Sequence, residues 1–224
     1  VLEVIRGIEA KGSLEMASKA LQRIGAVFRF AIQTGRATYN PAADMRGALK
    51  AKKVEHHKMI SPDELPEFLK SLTAGDIHTT TKSAIQFTIL TAARSGEVRG
   101  AIWKEIDLEK RLWSIPAERM KMRSPHTVPL SQQALAILNR MKILHGDNGL
   151  VFPGIHYPGK PLSENTMLYA LYRIGYHSQA TMHGFRALFS TIANEAGFNP
   201  DAIERHLAHR EKNAVGGSSH RGEK

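Results

Sequence analysis

A mainly α-helical protein with a small antiparallel sheet (α+β), built in two parts, is what the sequence predicts. Three observations carry that expectation. Apolar residues recur at helical spacing through most of the chain. Short alternating segments holding both tryptophans interrupt that pattern once, between residues 101 and 129. A polar, basic stretch at 51–58, AKKVEHHK, divides a helical first part, residues 1–50, from a larger second part, residues 59–224, and reads as a linker.

In the first part, Ser13 is placed to cap a helix. Its apolar positions Leu14, Ala17, Leu21, Ile24, Val27, Phe28 and Ile32 follow three- and four-residue steps, with Lys19, Arg23 and Arg29 between them and Gly35 as the stop. Asn40-Pro41 marks a turn, and a short helix is expected from there to about Leu49.

The second part opens on Ser61-Pro62-Asp63-Glu64, where Ser61 is the expected N-cap, Pro62 suits the first helical position, and Glu64 closes a capping box. One helix should run from there to about Leu72 and another from about Thr80 to Ala93. The texture then changes. Ala101 to Asp107, Leu112 to Pro116 and His126 to Pro129 hold Ile102, Trp103, Trp113, Ile115 and Val128, and predict a three-stranded antiparallel sheet. Four more helices are expected, near residues 131–144, 163–174, 183–196 and 200–209.

Composition narrows the function. The 224 residues are 42% hydrophobic and 23% charged, the balance of a globular protein able to bury a core without staples. The richest apolar run, Ala84 to Ala93, is too short for a membrane span and carries Gln86 and threonines. With no cysteine, a disulfide scaffold, a thiolate metal site and a cysteine nucleophile are excluded. No signal-like segment follows Val1, so a cytoplasmic address is expected; the missing initiator Met points to a fragment. Lys and Arg number 31 against 21 Asp and Glu, a net charge of +10. That excess favours a polyanionic partner, nucleic acid before membrane, because neutralised phosphates release counterions. A basic protein with no such partner is the alternative.

Two tempting motifs fail. Residues 154–161, GIHYPGKP, imitate a phosphate-binding loop, but Pro161 stands where a magnesium-ligating hydroxyl is needed. His206 and His209 share a helix face, yet no third metal ligand accompanies them. A cationic constellation is more informative. Arg94 follows an apolar helix and precedes Ser95-Gly96-Glu97, Lys121 lies in a turn between two expected strands, His183 and Arg186 share a helix face, and His209 ends the next helix. Taken singly, each has an ordinary reading: a helix-end charge, a solvated hairpin tip, an N-terminal cap. Together they make two arginines, one lysine and two histidines without a carboxylate cluster. Such a set suits metal-independent phosphoryl transfer, since guanidinium forks bind non-bridging oxygens while Lys and His move protons.

At these residues the sequence resembles the tyrosine recombinases, and within them the phage and genomic-island integrases. The resemblance rests on the boxes Thr91-Ala92-Ala93-Arg94-Ser95-Gly96-Glu97, Met120-Lys121, His183-Gly184-Phe185-Arg186 and Leu207-Ala208-His209. Family-like stretches at 115–122 (IPAERMKM) and 125–131 (PHTVPLS) extend it over nearly the whole chain. It implies that residues 1–50 are part of a helical core DNA-binding domain and 59–224 an integrase catalytic domain. It further implies double-stranded DNA as partner, a homotetramer on DNA with a monomer when free, no membrane, and neither metal nor nucleotide cofactor. By the same resemblance Arg94 and Arg186 would clamp the scissile phosphate, and Lys121 would protonate the leaving 5′ oxygen. His183 would assist proton transfer at the nucleophile, His209 would hydrogen-bond the phosphate, and Glu97 would support Arg94.

The chain departs from the family at one position. After Lys212-Asn213-Ala214-Val215 a nucleophilic tyrosine is expected, but Gly216-Gly217-Ser218-Ser219 follows, and no tyrosine lies beyond Tyr176. Ser219 falls at the nucleophile's place. Its hydroxyl is shorter in reach and far less acidic than a phenol of pKa about 10, so DNA binding without strand cleavage is expected. The same segment also resembles a flexible linker. Tyr169, Tyr172 and Tyr176 read as core or surface residues rather than replacements. A non-catalytic DNA-binding remnant, acting as a repressor or accessory factor, is the alternative.

Overall fold

The computed structural model describes residues 1–45, 47–50, 59–120 and 122–208. The linker expected at 51–58, the turn lysine Lys121, and both His209 and Ser219 lie outside the described residues. The chain forms two compact units, Val1–His56 and His57–Lys224.

In the first unit, helix α1 (Leu2–Ala10) packs on α2 (Leu14–Gln33). Gly12, at φ +77°, makes the turn between them, a left-handed conformation that costs glycine little. Ser13 is the N-cap of α2, and Gly35 follows its end at φ +68°. Ile5, Ala17 and Gly25 are buried, whereas Val27 and Ile32, expected in the apolar stripe, are exposed because only part of the stripe meets α1. The short helix expected up to Leu49 is instead one 3-10 turn, Ala43–Met45. Asn40 explains its start: its side chain accepts from the Ala42 amide at 3.0 Å and donates to the Gly25 carbonyl at 3.3 Å.

The second unit begins as the capping residues require. The Glu64 carboxylate accepts from the Ser61 amide at 2.7 Å, and the Ser61 hydroxyl accepts from the Glu64 amide at 3.3 Å. Regular helix α3 nevertheless starts later and runs Leu65–Ala74. Helix α4 (Thr79–Thr91) is the hub, packing against α5 (Ser95–Arg99), α6 (Gln132–His145), α7 (Thr166–Arg173) and α8 (Met182–Glu195). Two of its buried threonine hydroxyls bond the helix's own carbonyls, Thr88 to Ala84 at 2.8 Å and Thr91 to Phe87 at 2.7 Å, whereas those of Thr81 and Ser83 have no such partner.

The sheet is antiparallel in the order β1 (Ile106–Asp107), β2 (Leu112–Ile115), β3 (His126–Pro129). Trp113 pairs with Ile106 on one side and Val128 on the other. The first expected strand shrinks to two residues, because Trp103–Glu105 turns as a 3-10 helix and Ile102 pairs with Leu150 instead. Phe87 of α4 links the layers, its ring 5.4 Å from both Trp113 and Phe152. Residues 154–161 form a closed loop, Gly154 donating to the Lys160 carbonyl at 2.7 Å, with no phosphate-loop context. Helix α9 (Pro200–His206) ends the described chain and packs through Ile203 and Leu207 on Ala92 and Ala193. Among the described residues no helix is long and apolar enough to cross a membrane.

Candidate functional site

Helix α4 ends at Thr91 with Ala92 in the left-handed region, φ +48°. That reversal delivers Arg94 to the N-cap of α5, where Glu97 locks it in place. The Arg94 amide donates to Glu97 Oε2 at 2.8 Å, and its guanidinium Nη1 lies 2.9 Å from Glu97 Oε1. Glu97 is buried at 5% exposure, so its charge needs this pairing. Behind it, Arg119 Nη2 donates to the Glu97 carbonyl at 2.5 Å while Nη1 pairs with Glu105, whose Oε2 also accepts from Trp113 Nε1 at 3.0 Å. The backbone of the residue that orients Arg94 is thereby tied to the sheet.

Arg186 comes from the other side. Thr181, not His183, is the side-chain cap of α8, accepting from the Gly184 amide at 2.9 Å. Arg186 lies just inside that helix at 5% exposure. It donates from Nη1 to the Ala92 carbonyl and from Nη2 to the Leu207 carbonyl at 2.6 Å. Burial, and then the like charge of Arg94, lower its pKa to about 10, with Glu97 partly offsetting them. It stays cationic at neutral pH. His183, exposed one turn earlier, lines the same cleft as Arg186, Ser190, Thr191 and Leu207.

The structure therefore gathers Arg94, Glu97, His183 and Arg186 from segments far apart in sequence. Arg94 is paired with Glu97 and Arg186 with the Ala92 and Leu207 carbonyls, which sets two guanidiniums in a pocket at the converging C-terminal ends of α4 and α9. Such a pocket is preorganised for an anion, because the cations are already held by fixed carbonyls and need no rearrangement to present charge. Where Lys121, His209 and Ser219 lie relative to it falls outside the described residues.

Two histidines to which the sequence reading gave no such role also belong here. His126, at the start of β3, donates from Nε2 to the His206 carbonyl at 3.0 Å. His206 donates from its own Nε2 to the Thr91 carbonyl at 3.0 Å and stacks on Phe189 with ring centroids 4.7 Å apart. Burial is the main cause holding both imidazoles below the ordinary histidine range, with Arg186 adding to the effect. The available signal for His126 was a polar residue opening an otherwise alternating strand within a family-like stretch. His206 was visible only as a partner for His209 in a metal reading, whereas its ring nitrogen is spent on Thr91.

Known proteins match both parts of the chain. A family model described as Phage integrase family matches residues 58–218, and one described as Phage integrase central domain matches residues 1–48. The chain is 40% identical to the integrase of Enterobacteria phage P4, covering 96% of this chain and 52% of that protein. It is 46% identical to prophage integrase IntZ of Escherichia coli (strain K12), covering 90% of this chain and 50% of that one. It thus spans about half the length of the curated relatives it matches. Among solved structures, the Tn1549 transposon integrase in complex with circular intermediate DNA superposes with TM-score 0.73 at 19% identity, over 94% of this chain and 76% of that one. The lambda integrase tetramer bound to a Holliday junction superposes with TM-score 0.71 at 18% identity, over 96% and 64% respectively. At that identity the likeness is one of fold.

Proposed function

Because the chain belongs to the phage integrase family, we propose that it binds duplex DNA and grips a backbone phosphate between Arg94 and Arg186. One observation carries this reading: two arginines 92 positions apart lie close enough for each to feel the other's charge, Arg94 held by the Glu97 carboxylate and Arg186 by the Ala92 and Leu207 carbonyls. The net charge of +10 supports it, since each neutralised phosphate releases counterions. In this reading residues 1–50 contribute part of a core DNA-binding domain, 51–58 the linker, and 59–224 the catalytic domain.

The chemistry proposed for the site is the one that its resemblance to the tyrosine recombinases implies. Arg94 and Arg186 neutralise the non-bridging oxygens, and Glu97 holds Arg94 in orientation. Lys121 donates a proton to the leaving 5′ oxygen, His183 assists proton transfer at the attacking hydroxyl, and His209 hydrogen-bonds the phosphate. In the full reaction a tyrosine attacks to leave a 3′-phosphotyrosine, and rejoining needs no external energy because the phosphoester is conserved. With Ser219 at the nucleophile's place, the chain binds but does not cut. Assembly on DNA is tetrameric, the free chain is a monomer, and both belong to the cytoplasm at the nucleoid. A second reading is favoured by the serine at the place where the nucleophilic tyrosine is expected: a remnant that occupies sites as a repressor or accessory factor.

A covalent-adduct assay on a denaturing gel tests the proposal, using nicked duplexes spanning the element's own junction. An adduct from Ser219→Tyr and none from the parent chain is the expected result. An adduct from the parent chain itself would contradict the assignment of Ser219. Salt-sensitive binding with no adduct from either favours the second reading.

A further inference from the structure

The last turn of α9 presents three consecutive carbonyls to three different elements. His126 of β3 takes that of His206 at 3.0 Å, Arg186 of α8 takes that of Leu207 at 2.6 Å, and Arg94 at the head of α5 reaches that of Ala208 at 3.5 Å. The same turn is tied back to α4 by the His206 ring, bonded to the Thr91 carbonyl. The helix has seven residues, and its buried apolar contacts are Ile203 and Leu207 against Ala92, Ala193 and the partly buried Phe189. Carbonyls at a helix C-terminus have no intrahelical donor, so the side chains that reach them set where the turn sits.

We propose that His126 is a positioning residue for the phosphate site: its Nε2–H fixes the first of the three carbonyls, and so keeps the next two in register with the guanidiniums of Arg186 and Arg94. The inference rests on the DNA-binding reading above and deepens it. Both histidine bonds run from a ring N–H to a carbonyl, so each needs the Nε2-protonated tautomer and neither needs a charged ring. Neutral donors suit this place. Burial is the chief influence against a charged His126 ring; the bond to His206 and the charge of Glu97 favour it, and Arg186 and Arg94 oppose it. An imidazolium would add repulsion to a pocket that already holds two guanidiniums. The clasp therefore supplies direction rather than charge. Its effect on DNA must pass through the arginines, because the His126 ring nitrogen that donates is already engaged.

Two substitutions separate reach from chemistry. His126→Gln places an amide N–H near the position of Nε2, whereas His126→Asn carries the same amide one methylene short of it. Both are polar and no larger than histidine, so both are suited to fold. Two readouts are taken on the full chain. The first is amide hydrogen exchange at Leu207 and Ala208 without DNA, which the clasp predicts to quicken in the Asn variant and not in the Gln variant. The second is equilibrium binding to a short mixed-sequence duplex across a salt series. There the Asn variant is expected to bind about tenfold more weakly with a log–log salt slope shallower by about 1, while the Gln variant stays within about twofold of the parent. In an Arg94→Ala background the Asn substitution should add little, since its effect runs through the clamp. Equal exchange in both variants overturns the clasp. Equal affinity of the two variants, or a loss fully additive with Arg94→Ala, overturns the positioning role and leaves His126 a local packing residue. Changed exchange with no salt-dependent binding by the parent chain overturns the DNA reading on which the role rests.

Discussion

The guanidinium Nη2 of Arg186 lies 2.6 Å from the carbonyl oxygen of Leu207, while its Nη1 donates to Ala92, so one buried side chain closes the ends of α9 and α4 together. Cations are favoured at helix C-termini, where the macrodipole is negative and the last carbonyls are unpaired. A forked donor is needed to serve two carbonyls. Arg186→Lys keeps the charge but offers a single ammonium on a stem that cannot span both. It should cost about 1–3 kcal/mol of stability, read as a lower urea midpoint with unchanged slope.

Stability should also fall in mild acid. His126, His145 and His206 are all held below the ordinary value of 6.5, each chiefly by burial. Above that pH they are neutral folded or unfolded, and stability is at its full value. As pH drops through it, the unfolded chain takes up protons first, and stability is lost until the folded rings protonate as well. Melting temperature should be flat from about pH 8 to 7 and decline from about 6.5 downward. His206→Gln should flatten that decline, since it removes one of the buried titrating rings; an unchanged decline would contradict its assignment.

Packing at the turn after α3 leaves no room for a side chain. A Cβ on Gly75 would sit 2.4 Å from Ile174 Cγ2 and 3.0 Å from the Ser71 carbonyl, although its φ of −62° is open to any residue. Gly75→Ala is therefore a test of space alone. It should destabilise by about 1–3 kcal/mol through overpacking, measured by chemical unfolding, and Ile174→Val should not restore it because Cγ2 remains.

The lattice behind Arg94 gives a fourth expectation. Trp113→Phe keeps most of the buried ring and its contact with Phe87, but removes the N–H that Glu105 accepts at 3.0 Å. Glu105 Oε1 already has no hydrogen-bond partner, so its charge would lean harder on Arg119. A loss of about 1–2 kcal/mol is expected in thermal unfolding.

Much of this was legible in the sequence where an element is long enough to repeat its own period. Helices α2, α6 and α8 lie within one or two residues of the expected bounds, and β3 coincides with them, because apolar residues recur over several turns or alternate cleanly. The elements that position Arg94 were not legible. A helix of five residues such as α5, or the 3-10 turns at Trp103 and Ala117, completes too little of a period to leave a pattern. The exposed Val27 shows the converse: a helical stripe records which residues could be buried, not what covers them. Arg94, Glu97, His183 and Arg186 could be named through the family boxes they stand in. His126 could not, since its bond to His206 spans 80 positions and depends on how β3 meets α9.

The most direct test of the account is equilibrium binding of the chain to duplex DNA across a salt series, set beside Arg94→Ala. Arg94 is accessible enough, with 27% of its side chain exposed, to meet a phosphate as well as Glu97. The account predicts a linear fall of log affinity with log salt, and a slope shallower by about 1 in the variant. Identical slopes for the two proteins, or binding that ignores salt, would contradict a phosphate clamp at Arg94 and Arg186.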